Sequence, residues 1–519
     1  MNDFLSALQK VTNNDSYTEN GALGYKSTHN SLVDINFRVS SLRNEPEEQI
    51  IELWEKAYEE DKKYAIVWMF MVGDIRGGMG ERRLFRILIK NFIKNHLNNC
   101  IYPETLDFVE KIINFIPQYN RWDSVFCLLE DANNIGYDVA FDVIRDNLTT
   151  DMDIINSDPE GKKPISLLGK WMPSANTSSK KTVALARKII KNLEISEKQY
   201  RKMLSVLRKR LDVLERRLSA NEWELVDYSA VPSKANIKYS AAFFNHDFER
   251  RSKFIEAAIN SKHPEEMIHS SASFPHEIIK VDDPASAQAL WNAYPNFLGD
   301  EDSILVVRDG SGSMTCKIDK STSALDVATA LTIYFAEKLN GPLKDKFITF
   351  SRNPRLIDMS KANEKEYPLR EKLNICYFND DWTNTNIQAV FELLLRTAKE
   401  ENLTQADLPK NILIISDMEF DAHSMGWGKS LFSLISDEFK LAGYKLPKLI
   451  FWNVNSRSNT IPMIDNELGL VLVSGFSPMI TKMILSNNID PWGALKSLLD
   501  DARYKPIKEL FNEMVDVLR

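Results

Sequence analysis

Cysteine is scarce: Cys100, Cys127, Cys316 and Cys376 are the only four in 519 residues. They lie far apart without a Cys-x-x-Cys spacing, so neither a zinc knuckle nor a disulfide framework is indicated, and a reducing cytoplasm is the expected compartment. No stretch approaches about 18 uninterrupted apolar residues, the length of a membrane span. The opening Met1-Asn2-Asp3-Phe4-Leu5-Ser6 has no basic region followed by an apolar run, as a secretory signal would. The expectation is a soluble protein kept inside the cell, with no membrane partner. Histidine is scarce too. His246, His263, His269 and His276 fit no metal-ligand spacing, and no His-Cys or His-Ser pairing suggests a catalytic triad, so the chain is read as not an enzyme.

What is present is enough for two to four domains with ordinary cores, at 44% apolar residues. The net charge of −8 hides an asymmetry. Between Gly161 and His263 there are about 22 Lys/Arg against about 10 Asp/Glu, a basic segment inside an acidic protein, which hints at a polyanion partner.

Along the chain, residues 1–45 read as a short helix from Phe4 to Val11 followed by a polar surface arm with Gly21 and Gly24. Helical periodicity begins after Pro46 and continues in short segments, Tyr64 to Val72, Leu106 to Phe115, Trp122 to Leu129 and Val139 to Leu148. These read as stacked helix pairs, without a clean repeat period. The glycines of Asp74-Ile75-Arg76-Gly77-Gly78-Met79-Gly80-Glu81-Arg82-Arg83 suit an inter-helix turn, or an anion contact beside the arginines. The Lys-Ser/Thr ending of a phosphate-binding loop is missing. Residues 151–164 read as a linker.

In the basic segment, Ser178 or Ser179 can cap a helix whose amino terminus is flanked by Lys170, Lys180 and Lys181, with Trp171 nearby. Cations at a helix amino terminus beside an indole suit a phosphate and a stacked base. Arg201, Lys202, Arg208, Lys209 and Arg210 follow on one helix extending to Arg216 and Arg217, with Leu204, Leu207, Leu211 and Leu214 inward. These nine residues, Trp171 included, are the candidate RNA contacts; the alternative is an ordinary solvated face. Phe243, Phe244 and Phe248 among Arg250, Arg251 and Lys253 read either as core or as stacking platforms.

From Ser303 strand and helix alternate. Strands are expected near 304–308, 346–350, 411–416, 447–453 and 468–472, and helices near 324–340, 386–401, 429–441 and 476–486, with an amphipathic helix in the tail from Pro491. The run Ile304 to Val307 leads into Asp309-Gly310-Ser311-Gly312-Ser313-Met314, where an open α/β sheet places its ligand crevice. One carboxylate and two hydroxyls on a tight turn can converge on a hard cation, which wants about six oxygens. Further donors are available in Asp381-Trp382-Thr383-Asn384-Thr385-Asn386 and at the end of Ile412-Leu413-Ile414-Ile415-Ser416-Asp417.

This constellation resembles the metal-ion-dependent adhesion site of von Willebrand factor A domains, Asp-x-Ser-x-Ser, then Thr, then Asp. Matched here, it implies Asp309, Ser311, Ser313, Thr385 and Asp417 as ligands of Mg²⁺, or of another divalent cation such as Mn²⁺ or Ca²⁺. Thr385 is preferred to Thr383 because Thr-Asn-Ile leads into a helix as the family's Gly-Gly-Thr-Asn turn does; Trp382-Thr383-Asn384 stands where that turn has glycines. A helical first half before such a domain resembles the Ro autoantigen group, whose TROVE region holds small noncoding RNA. A closer likeness is to an uncharacterised Ro-like, TROVE-related family of cellular and viral proteins. It rests on Gly73 to Arg82, Leu168 to Ser174, Leu218 to Trp223, Ser416 to Asp421, Ile450 to Asn453 and Ser474 to Ser477.

The resemblance implies a multidomain chain. Residues 1–295 would be an α-helical, HEAT-like TROVE domain, 296–488 a Rossmann-like α/β von Willebrand factor A domain, and 489–519 a helical tail. It implies a noncatalytic RNA-binding protein whose metal site captures an acidic ligand. The competing expectation is a metal-dependent scaffold that grips an acidic protein partner and binds no RNA. The tail acids Asp500, Asp501 or Glu509 are candidates to occupy the site from within.

Overall fold

A computed structural model describes residues 13–98, 103–299, 303–350, 353–380, 385–422, 430–485 and 488–517. The expected helix Phe4 to Val11 and the stretch Trp382-Thr383-Asn384 lie outside them. The chain forms two compact units. One comprises residues 1–65, 232–244 and 249–501; the other 66–231, 245–248 and 502–519.

The first unit is built on a mixed six-stranded sheet. Its strands are β3 (Ile304–Asp309), β4 (Lys346–Phe350), β5 (Leu356–Asp358), β6 (Asn411–Ser416), β7 (Lys448–Asn453) and β8 (Leu470–Ser474). Across the sheet the order is β5-β4-β3-β6-β7-β8, and every pairing is parallel except β4 with β5. β3, with all six residues buried, carries the unbroken apolar run expected of a strand covered on both faces. The helices that cover the sheet start at side-chain caps: Ser323 and Asp326 form a capping box on Ala324–Lys338, Asn386 caps Ile387–Glu400, and Ser430 caps Leu431–Leu441. The chain reverses its direction of travel across the sheet between β3 and β6, so the carboxyl ends of these neighbours open a crevice.

Five strands fall within two residues of their expected positions; β5, only three residues long, was not expected. The helix expected near 476–486 is reduced to Thr481–Ile484 after a 3₁₀ turn, and the tail is two helices, Pro491–Leu499 and Lys505–Val517.

The amino-terminal region is not a surface arm. A hairpin of β1 (Asp15–Tyr17) and β2 (Leu23–Tyr25) joins the sheet-bearing unit, with Tyr25 and Ile461 exchanging backbone hydrogen bonds of 2.8 Å. The helix Ser31–Phe37 follows it, and Asn453 at the end of β7 donates to the Phe37 carbonyl. The expected divisions at 295 and 488 therefore do not coincide with the compact units: residues 13–65 join the sheet because their backbone and side chains bond its loops, and 502–517 belong to the other unit.

That second unit is helical. Its longer helices are Arg82–Phe92, Pro103–Tyr119, Ile135–Ser157, Lys180–Asn192 and Glu197–Arg210. The helix from Ile135 runs through half of the expected linker because Ile144, Leu148 and Asp151 are buried on it and Ser166 satisfies the Asp151 carboxylate. The glycine stretch after Asp74 is a closed turn: Gly78 and Gly80 donate to the Asp74 carbonyl and Met79 to that of Met71, which leaves those amides nothing to offer an anion. A Cβ on Gly78 would stand 1.9 Å from the Met71 carbonyl oxygen, so only glycine fits. Asp74 accepts from Arg503 and Tyr504, which ties the carboxyl-terminal segment to this turn.

Candidate functional site

Asp309 ends β3 and Asp417 immediately follows β6, so the parallel pairing of these strands delivers two carboxylates to one end of the sheet. Both are fully buried. Asp309 accepts from the Ser311 amide at 2.9 Å through Oδ1 and from the Ser416 hydroxyl at 2.6 Å through Oδ2. The Ser311 and Ser313 hydroxyls lie 3.0 Å apart, and Ser313 is close enough to Asp417 to draw its carboxyl down. Burial, and after it the charge of Asp417, pushes the Asp309 carboxyl up to about 7. Burial raises Asp417 as well, against the pull of Arg457.

The turn after β6 is itself unusual, since Met418 is buried in the left-handed region at φ 64°, a conformation that costs a bulky residue of order 1 kcal/mol or more. The buried Glu419 carboxylate accepts from the amides of Arg457 (2.7 Å), Ser458 (2.8 Å) and Glu19 (2.8 Å), pinning the loop after β7 and the tip of the amino-terminal hairpin beside the site.

Arg457 crosses this space. Its Nη1 donates to Asp417 Oδ2 at 3.0 Å, and its Nε and Nη2 reach Glu19 Oε2 at 2.8 and 2.7 Å. No signal in the sequence marked Glu19, Glu419 or Arg457 as site residues.

Of the five expected ligands, Asp309, Ser311, Ser313 and Asp417 come together. Thr385 is buried at the rim. Its hydroxyl accepts from Asn20 at 3.4 Å, and the same Asn20 amide donates to the Glu419 carbonyl at 2.7 Å; among the described residues Thr385 makes no direct hydrogen bond to either aspartate. Asp380 pairs with Arg308 of β3 at 2.6 Å, both side chains inaccessible to solvent. Gly310 permits this approach, because a Cβ there would meet Asp380 Oδ1 at 2.5 Å. Of the tail acids, Asp500 pairs with Lys496, Asp501 with Lys482 and Glu509 with Lys505.

The donors suit a hard divalent cation. All are oxygens, two buried carboxylates lie close together with a guanidinium on one of them, and Asp380 Oδ2, beside Gly310, is buried with no hydrogen-bond partner among the described residues. No group of three or more His, Cys, Asp or Glu side chains arranged for a metal occurs among the described residues, so any ion here would depend on hydroxyls as well.

The basic candidates divide. Lys180, Lys181, Arg201, Lys202 and Lys209 are exposed, and Ser179 caps the helix that begins at Lys180. Lys170 and Trp171 are half-buried, with Arg121 lying 4.6 Å over the indole. Arg208 and Arg210 do not fit the expectation of phosphate contacts. Arg208 donates to the Gly169 and Met172 carbonyls and to Ser174, and Arg210 to Asp158 and Lys163, so both pin the chain's own loops. The single helix expected to reach Arg217 breaks at Asp212, whose φ is 45°. Arg251 and Phe243 are buried core.

Fold and cluster together define a chain with a helical unit and an α/β unit that carries an acidic, hydroxyl-lined site at its switch point. Residues 303–498 match a family described as Domain of unknown function (DUF7788), and residues 133–296 one described as Domain of unknown function (DUF2828). The chain is similar to "Uncharacterized protein L728" of Acanthamoeba polyphaga mimivirus, 28% identical over 540 residues, covering 97% of this chain and 90% of the relative. Among the described residues no helix is long and apolar enough to cross a membrane.

Proposed function

We propose that the protein is a noncatalytic, cytoplasmic RNA-binding protein of Ro-like build. In this reading the helical unit is a HEAT-like, TROVE-related domain, and the α/β unit is a von Willebrand factor A-type domain that captures an acidic ligand through a divalent cation. The observation that carries the reading is the meeting of Asp309, Ser311, Ser313 and Asp417 at the carboxyl ends of two adjacent parallel strands. These four would hold Mg²⁺, Mn²⁺ or Ca²⁺, with Thr385 at the rim, and the bound ion would supply a Lewis-acidic position for a carboxylate or phosphate oxygen.

RNA would be held electrostatically by Lys180, Lys181, Arg201, Lys202 and Lys209. A structured RNA titrated at increasing salt tests this: affinity falls steeply, and Mn²⁺ binding measured on the same chain is lost in Asp309→Ala. Salt-insensitive or absent RNA binding, with the cation site intact, leaves the second reading, a metal-dependent scaffold for an acidic protein partner. The internal commitment of Arg208 and Arg210 favours that reading, because it shrinks the basic face.

A further inference from the structure

Arg457 brings a positive charge directly onto Asp417, where it opposes a cation, and it is built in rather than incidental. Its own amide is fixed by the buried Glu419, so the side chain starts from an anchored backbone. From there the guanidinium bridges two carboxylates of different character: Asp417, fully buried among the serines, and Glu19, half in solvent at the hairpin tip. Without an ion, Asp309 and Asp417 share a buried space, and this guanidinium brings a positive charge to Asp417. A divalent ion would provide the same compensation at the same oxygens, and two cations within a few ångström repel.

We propose that Arg457 is a tethered competitor for the divalent cation: it neutralises Asp417 when the site is free of ion and is handed to Glu19 alone when an ion enters. The inference rests on the cation reading above and adds to it the device that sets affinity. Glu19 makes the exchange possible, since it already holds two of the guanidinium nitrogens and leaves the released side chain paired. The amino-terminal hairpin thereby becomes part of the site's regulation, and anything that draws it away lowers cation affinity.

The test is Mn²⁺ binding to the full chain by calorimetry, in wild type, Asp309→Ala, Arg457→Gln, Arg457→Lys and Glu19→Gln. Arg457→Gln binds Mn²⁺ about tenfold or more tightly, because an opposing charge is gone. Arg457→Lys, which keeps the charge, stays near wild type, and Glu19→Gln binds several-fold more weakly. Thermal melts give a reading independent of binding heats. In EDTA, Arg457→Gln melts below wild type because Asp417 has lost its partner, and Mn²⁺ raises its Tm by more. If wild type binds Mn²⁺ and Asp309→Ala does not, but Arg457→Gln binds no tighter or Glu19→Gln is unchanged, the exchange is wrong while the cation site stands. If no chain binds Mn²⁺, both fall.

Discussion

The acidic end of the sheet and the basic face of the helical unit are both clusters of like charge, yet they are organised oppositely. Asp309 and Asp417 have no solvent exposure, and each oxygen already accepts from a named neighbour. Lys181 stands 90% exposed with one loose partner, Glu130 at 3.4 Å. Buried like charges cost folding energy and persist only where surrounding bonds hold them; exposed ones cost little and are screened within about 10 Å at 0.1 M salt. The first arrangement can select one small ion by geometry, whereas the second can attract a polyanion without specifying it.

Four experiments break or sharpen that contrast. The largest effect is expected from Asp380→Ala, which leaves the buried Arg308 without its carboxylate; urea denaturation should show a loss of about 3 kcal/mol or more. An equivalent change on the basic face, Lys181→Ala, should lie within about 0.5 kcal/mol of wild type. Next, Asp309→Ala should weaken Mn²⁺ binding by about 100-fold or more while RNA affinity is unaltered, as read by calorimetry and fluorescence anisotropy. Coupled loss of both would mean that the two charge clusters are not independent.

Third, charge reversal at Lys180, Lys181 and Lys202 should cost about tenfold to a hundredfold in RNA affinity near 0.15 M salt and flatten the salt slope, with stability preserved. Arg208→Ala should do the reverse, lowering stability through the lost bonds to Gly169, Met172 and Ser174. The smallest effect concerns His276, buried against Phe274 and Phe476, where burial first and then nearby Arg43 depress its pKa well below the usual imidazole value. The folded state binds this proton less readily than the unfolded one, so its contribution to stability is complete above about pH 6.5 and declines as the pH falls. Melts at pH 7.5 and 5.5 should differ by about 1 kcal/mol more in wild type than in His276→Gln.

How much of this was legible in the chain depends on the range of the interaction. Asp309, Ser311 and Ser313 lie within five positions, and a strand followed by a tight turn fixes their relation whatever surrounds them. β3, β4 and β6 declare themselves as apolar runs for the same local reason, while β5 is too short to carry a pattern. The reading of residues 13–45 as an arm went wrong because their polar character reflects bonding to loops some 400 residues away, as when the Glu19 amide meets Glu419. Arg208, Arg210 and Arg457 are indistinguishable from solvated arginines by composition.

Sequence by itself therefore determined the strand–turn segments, the helical character of residues 62–260 and the residue types on offer at the site. Tertiary structure alone decided which carboxylates lie close together, that Asn20 stands between Thr385 and Glu419, and that a guanidinium from beyond β7 lies on Asp417. The physical reason is that backbone propensity acts over a few residues, whereas strand order places distant loops side by side, and charge responds to distance in space rather than along the chain.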